Sequence, residues 1–319
     1  MTASQVSETL SAFCRRSATT VILGLITGLW LATASAAGQE TAPIQALARM
    51  RVLLGEAEAL QRQRRTNEAL IAATEAIRLA PKSVEGWMLR GRLRAANGAF
   101  RDAAADFAKV LELNPRDPDA RFQRALARFR DGRLARAVED FDRLAEMAPQ
   151  RMPELWQRGV ALSLAGRHDD ARRQFEAHRR VNTNDVELSA WHYFSVAKLE
   201  GPAQARSALL PVSGDPRVPM PEIWRLYAGQ AEANAVFAAA ESVSDEATGA
   251  AARFYARLYV AMYLDAHGRP TEALPLAREA AAHSAAYDFL GQAARLYAEQ
   301  LAARVATGPA DREPTRAAE

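Results

Sequence analysis

The sequence predicts an all-α solenoid built from helix-turn-helix units of 34 residues, and four series of residues predict it. Pro81, Pro115 and Pro149 are spaced by 34. Ala69, Ala103, Ala137 and Ala171 keep the same period, as do Gly98, Gly132 and Gly166. Phe107, Phe141 and Phe175 run in step with them. Independent positions sharing one period are the mark of a repeat architecture. A single helix pair cannot bury its own apolar face, so the units must stack.

Before the repeats, the first forty residues differ from everything that follows. Arg15 and Arg16 precede an uncharged run from Val21 to Ala32, and small residues follow at Ala34-Ser35-Ala36-Ala37. A basic start, an apolar stretch and an A-x-A site describe a secretory signal peptide over 1–37, with cleavage expected after Ala36 or Ala37. The expected localisation is therefore periplasmic or secreted. The alternative is an uncleaved membrane anchor through residues 18–38, a stretch long enough to span a bilayer. Cys14 is the single cysteine and precedes the apolar run. Removal of the signal would leave no disulfide and no thiolate chemistry.

Residues 38–49 read as a linker and the start of the first helix. Four repeats follow over 50–185, at 50–83, 84–117, 118–151 and 152–185. In the clearest unit, Val84 to Asp117, Trp87 is position 4, Gly91 position 8, Ala103 position 20, Phe107 position 24 and Pro115 position 32. Small residues at positions 8 and 20, such as Gly159 with Ala171 and Ala125 with Ala137, let paired helices approach closely. Glycine at position 15 supplies a left-handed cap to the first helix. The aromatic at 24 (Phe107, Phe141, Phe175) fills the gap to the next unit, and proline at 32 (Pro115, Pro149) stops the second helix. These offsets resemble the tetratricopeptide repeat (TPR), and the resemblance implies a TPR α-solenoid.

Arg90, Arg124 and Arg158 occupy position 7, opposite Asp106, Asp140 and Gln174 at position 23. Ion pairs Arg90–Asp106 and Arg124–Asp140 are expected within the repeats, leaving Arg158 without an acid and free for other work. Beyond residue 185 the period weakens. Residues 186–253 read as a degenerate helical region, with a proline-rich loop from Pro211 to Pro219. The pattern recovers at Ala261, Gly268 and Ala273, so 254–306 is expected to hold a fifth hairpin and a capping helix, with Pro275 bending the hairpin's second helix. Residues 307–319 read as a disordered tail.

In TPR stacks the first helix of each pair lines a concave face. Carried onto this sequence, that face includes Met88, Arg92, Phe122, Leu126, Phe129, Trp156 and Val160, a groove expected to bind a protein or peptide partner. Clustered aromatics mark binding surfaces. The competing expectation is that the chain's own C-terminal region folds back over them. The residues used by TPR carboxylate clamps are not matched, since Leu54, Glu58, Leu89, Asp119 and Gln123 stand in those places.

Acidic and basic residues nearly balance, with a net charge of +3, and no basic block tracks phosphates, so nucleic acid is not an expected partner. No phosphate loop, nucleophile elbow or metal-ligand spacing is present. The five histidines are scattered. No cofactor, metal, catalytic residue or small-molecule substrate is therefore expected, and the chain reads as a scaffold or adaptor rather than an enzyme. The alternatives are a membrane-anchored assembly factor and a regulatory repeat array of an enzyme. The latter would need a polar, partly buried cluster of His, Asp or Glu within 186–253.

The region after the fourth repeat resembles NlpI-type bacterial TPR lipoproteins. The residues are Asn184-Asp185, Trp191 and Tyr193, Trp224 with Tyr227-Ala228-Gly229, then Phe254-Tyr255, Tyr259, Gly268 and Ala273. That resemblance implies a dimeric periplasmic adaptor of envelope proteases and cell-wall hydrolases, and hence a homodimer. The family's lipidated cysteine after the signal is absent here.

Overall fold

A computed structural model describes residues 44–283 and 288–308. The expected signal or anchor and most of the expected tail lie outside the described residues. The architecture is all-α, with helices packed in consecutive pairs. The described residues divide into two compact units, one ending at Leu93 and the other beginning at Arg94, a boundary inside one helix.

In the first unit, α1 covers residues 44–62, α2 runs Thr66–Leu79 and α3 begins at Val84 and ends at Ala96. Alanines at helical spacing make the α1–α2 seam. Ala57, Ala69 and Ala73 are fully buried and pack with Leu89 and Leu93. Ala69 is the first member of the position-20 series. Close packing extends to Gly86, where an added Cβ would lie 3.0 Å from Ile77 Cγ1.

The second unit continues with α4 (Phe100–Leu113), α5 (Pro118–Arg130), α6 (Leu134–Met147), α7 (Trp156–Leu164) and α8 (His168–His178). Its core positions follow the expected series, with Ala103, Ala137, Ala171, Phe107, Phe141 and Phe175 all fully buried. The prolines act as stops: α2, α4 and α6 each end two residues before Pro81, Pro115 and Pro149. Asp117 caps α5, accepting hydrogen bonds from Asp119 and Ala120 N–H, with Pro118 opening the helix. The fourth unit departs from expectation. Pro149–Glu154 forms a 3-10 turn and α7 starts only at Trp156, because Pro153 has no N–H for an α-helical bond.

The turn between paired helices is nearly identical from unit to unit. Gly98, Gly132, Gly166 and Gly268 adopt φ of +72 to +78°. Each N–H bonds three residues back, and the next N–H bonds five back, as in Arg133 to Arg128 at 2.8 Å. In the first unit Arg64 stands at this place and still takes φ 60°.

Beyond the repeats come α9 (Val186–Glu200), α10 (Pro202–Ser207), α11 (Met220–Tyr227), α12 (Ala233–Glu241), α13 (Glu246–Ala266), α14 (Pro270–Ala282) and α15 (Asp288–Thr307). Every residue of α9 from Val186 to Ala197 is buried. It is the central helix of this unit, surrounded by α7, α8, α10, α11 and α13. Trp191-His192-Tyr193 accordingly forms packed core. The α13–α14 hairpin is the expected fifth pair, with α13 starting earlier than residue 254. Pro275 sits inside α14 without ending it.

Candidate protein-binding surfaces

The groove residues that lie in the second unit have an occupant within the chain. Helix α15 packs along α5 and α7, the first helices of the third and fourth pairs. Phe129 is fully buried and stacks on Phe289 of α15, with centroids 4.1 Å apart and planes 14° apart. Trp156 meets the same ring edge-on at 5.3 Å. Val160 is also fully buried, and Gln300 of α15 donates to the Leu164 carbonyl at 3.0 Å. The direct role expected for Phe129 and Val160 in a partner groove is therefore corrected: α15 removes both from solvent. Of the two expectations for this wall, the fold-back describes the arrangement. Phe122, Leu126 and Trp156 keep part of their surface accessible while packing on the same core. Met88 is half-buried and Arg92 exposed on α3.

The arginine ladder is structural. Arg124 binds Asp140 through two bonds, at 2.9 and 2.6 Å. Arg128 adds a third at 2.8 Å, and Arg121 approaches to 3.5 Å. One buried carboxylate thus ties α6 to three guanidinium groups on α5. Asp106 accepts from Arg94 at 2.7 Å. Arg158 is not free, contrary to expectation. It donates to Asp142 at 3.1 and 2.7 Å and to Gln174 Oε1 at 2.9 Å. Asp142 is position 25 of the preceding repeat, two residues past Asp140, so the pair crosses between units, which reading position 23 within each repeat overlooked. Asp169 and Asp170 sit in the first turn of α8, favourable to the dipole, and pair with Arg167, Arg172 and Arg173.

A polar cluster does form around the start of α9. Asp185, Glu187 and Asp215 surround Arg217, and Tyr259 donates to Glu187 Oε2 at 3.1 Å. Burial pushes the Glu187 carboxyl up to about 7, against the pull of Arg217. A raised carboxyl beside a 240 Å³ cavity lined by Trp156 and Trp191 has the outward marks of an acid–base site. The bonding argues otherwise. Asp215 accepts from Val186 N–H and from Arg217 backbone and side chain, so the cluster clamps the proline-rich loop to the α9 N-terminus.

Two larger cavities are open. In the first unit a mainly apolar cavity of 540 Å³ is lined by Leu47, Met50, Arg51, Leu54, Leu79 and Glu85 among others. In the TPR pattern Arg51 and Leu54, at positions 2 and 5 of the first repeat, and Glu85, at position 2 of the second, are expected on the concave face. Of its lining residues, Leu47 is an exposed large apolar side chain. In the second unit, a 440 Å³ cavity opens where α7 and α9 meet the end of α15. Among the described residues no group of His, Cys, Asp or Glu could hold a metal ion, and no helix is long and apolar enough to cross a membrane.

Comparison with known proteins agrees with the architecture. Residues 57–128 match the tetratricopeptide-repeat family model. No curated protein sequence matches the chain. Among solved structures, a tetratricopeptide repeat protein from Parabacteroides merdae is 15% identical with a TM-score of 0.51, covering 78% of this chain and 98% of its own. The Pseudomonas aeruginosa pilF protein is 13% identical with a TM-score of 0.43, over 66% of this chain and 91% of that one. YrrB, described as a TPR protein with an unusual peptide-binding site, is 17% identical with a TM-score of 0.43, over 49% and 84%. The first of these supports the fold, at an identity that carries nothing further.

Proposed function

We propose that this chain, which carries tetratricopeptide repeats, is a non-catalytic scaffold that binds a protein partner through the open face of its first unit. The observation that carries the reading is the 540 Å³ apolar cavity bounded by concave-position residues Arg51, Leu54 and Glu85. An apolar cavity with exposed Leu47 in its wall is the kind of surface that accepts an amphipathic segment. Helix α15 on α5 and α7 is an example, within the chain, of a helix lying on a repeat wall. Met88 and Arg92, also in the first unit, are offered as further partner contacts. The finer reading is an exported adaptor of NlpI type, with envelope proteases or cell-wall hydrolases as partners and a homodimeric state. It rests on the export-like N-terminus and on the Trp191, Tyr193, Trp224 and Tyr227 series.

The test is site-specific photocrosslinking in the native cell. A benzophenone amino acid at Leu47 is expected to trap a discrete protein adduct, and the same probe at exposed Glu139 is not. Leu47→Asp should reduce co-purification of the trapped protein. Equal labelling at both positions, or none at Leu47, refutes the surface. N-terminal sequencing of the mature chain tests export: a start at Ala37 or Gly38 supports it, and retention of residues 18–38 points to the anchored alternative.

A further inference from the structure

The 440 Å³ cavity of the second unit has a composition unlike the other surfaces. Its walls are Leu164, Ala165, Phe194 and Ala303, and its polar side is formed by Lys198 and Arg304. Both cations converge on one buried carboxylate. Asp265 takes Lys198 Nζ at 2.8 Å and Arg304 at 3.1 and 2.7 Å, and its second oxygen also accepts from Tyr297 OH at 3.2 Å. Two positive charges therefore share one negative charge. Burial tends to raise the Asp265 carboxyl, yet Arg304 and Lys198 together hold it below the usual range. Lys198 is one of three lysines in an arginine-dominated chain; it donates to Asp265 Oδ1 and, at 3.3 Å, to the Asp265 carbonyl, which leaves one ammonium proton for a further acceptor. His168 also lines the cavity, and its buried Nδ1 has no hydrogen-bond partner among the described residues.

From this arrangement we infer that the cavity between α7, α9 and α15 binds a monoanionic carboxylate carried on a short apolar body. The single uncompensated positive charge matches one carboxylate, and charge-assisted bonds from Lys198 and Arg304 would hold it. The apolar walls fit an aliphatic chain rather than a phosphate or a polyanion. A dianion would leave an unmatched charge in a partly desolvated site. Its two cations stand on helices outside the repeats, α9 and α15, while the fourth repeat supplies wall residues from α7 and its turn and His168 at the start of α8. It goes beyond the scaffold reading. The shared chemistry has two sources, a free aliphatic acid or the carboxy terminus of a polypeptide.

The test uses the purified full chain labelled with ¹³C at the lysine ε position. Lys82 and Lys109 are exposed and act as internal controls for Lys198. The probes are hexanoate, hexanamide, and N-acetyl-Ala-Leu-Leu as its free acid and its amide. Both acids should shift the Lys198 signal selectively, each binding at least about tenfold tighter than its matched amide. Ala303→Trp, which fills the cavity without touching the ion network, should abolish the shift while the helical circular dichroism stays unchanged. Arg304→Met should weaken acid binding and narrow the acid-to-amide ratio. A tripeptide acid binding tenfold tighter than hexanoate assigns the site to chain ends; parity assigns it to free acids. Equal binding of acids and amides, no Lys198 shift with any probe, or unchanged binding by the Ala303→Trp protein overturns the inference. Crosslinking at Leu47 is independent of these outcomes, so each proposal can fail alone.

Discussion

Gly159 tests most directly whether the repeat period reflects close helix approach. It is position 8 of the fourth unit, on α7, and faces Phe175 on α8. A Cβ added there would lie 2.5 Å from Phe175 Cε1, 2.7 Å from Cζ and 3.0 Å from Cδ1. The ring is fully buried and its edge is rigid, so relief means moving the ring or the helix by roughly 1 Å to restore ordinary carbon contact. Overpacking of this kind costs about 1–3 kcal/mol. Alanine also gains about 1 kcal/mol of helix propensity over glycine, which offsets part of the strain. Gly159→Ala should therefore fall between neutral and about 2 kcal/mol destabilising, measured by urea unfolding followed by circular dichroism. Gly55 on α1 is the control, being exposed and having nothing within 4 Å of where a Cβ would stand. Gly55→Ala should stabilise by about 0.5–1 kcal/mol. In a Phe175→Leu background the cost of Gly159→Ala should shrink or reverse. A Gly159→Ala protein stabilised as much as the Gly55→Ala control would refute the argument that position 8 is glycine because the ring leaves no room.

Four further outcomes are expected. Arg64→Gly should stabilise by about 1 kcal/mol, since Arg64 holds a left-handed φ of 60° that glycine adopts without strain; denaturant midpoints check it. Asp140→Asn should cost about 3 kcal/mol, because three arginines lose the buried carboxylate that satisfies them; the same unfolding assay reads it. Glu187 gives a pH signature. Its folded pKa of about 7 lies above the ordinary glutamate value of 4.5, so between those values the folded state retains a proton that the unfolded chain has lost. Stability should fall as pH rises through that window, by roughly 3 kcal/mol in all, and Glu187→Gln should flatten the slope. Phe289→Ala should cost about 3–5 kcal/mol and expose Phe129 and Trp156, seen as a red-shifted tryptophan emission and new binding of a hydrophobic dye.

The helical hairpins from residue 50 to 185 were readable because their determinants are local. Alanine at position 20, phenylalanine at 24 and glycine at 15 act within one or two turns of their own unit, and all sit where the period places them. Three features escaped. Arg158 finds its acid in Asp142 rather than at the aligned Gln174, since a long guanidinium reaches across to a carboxylate of the preceding repeat. The cluster at Glu187 and the cavity at Lys198 join residues 30 to more than 100 positions apart, such as Asp185 with Arg217 and Lys198 with Arg304. No periodic signal records such meetings. The burial of Phe129 was legible as an alternative only, because a groove aromatic looks the same in sequence whether its cover is another protein or the chain's own last helix.

That last helix alters how the molecule must come together. In a plain repeat array every contact is between neighbours, and structure can spread from any starting pair. Here Phe129 meets its stacking partner only when Phe289 arrives, 160 residues later. Until then an emerging chain carries a bare apolar strip on its third and fourth pairs. Closing so long a span slows the final step relative to the local ones. The completed polypeptide, rather than any one hairpin, is what hides the strip, and truncated products are expected to be the forms that aggregate.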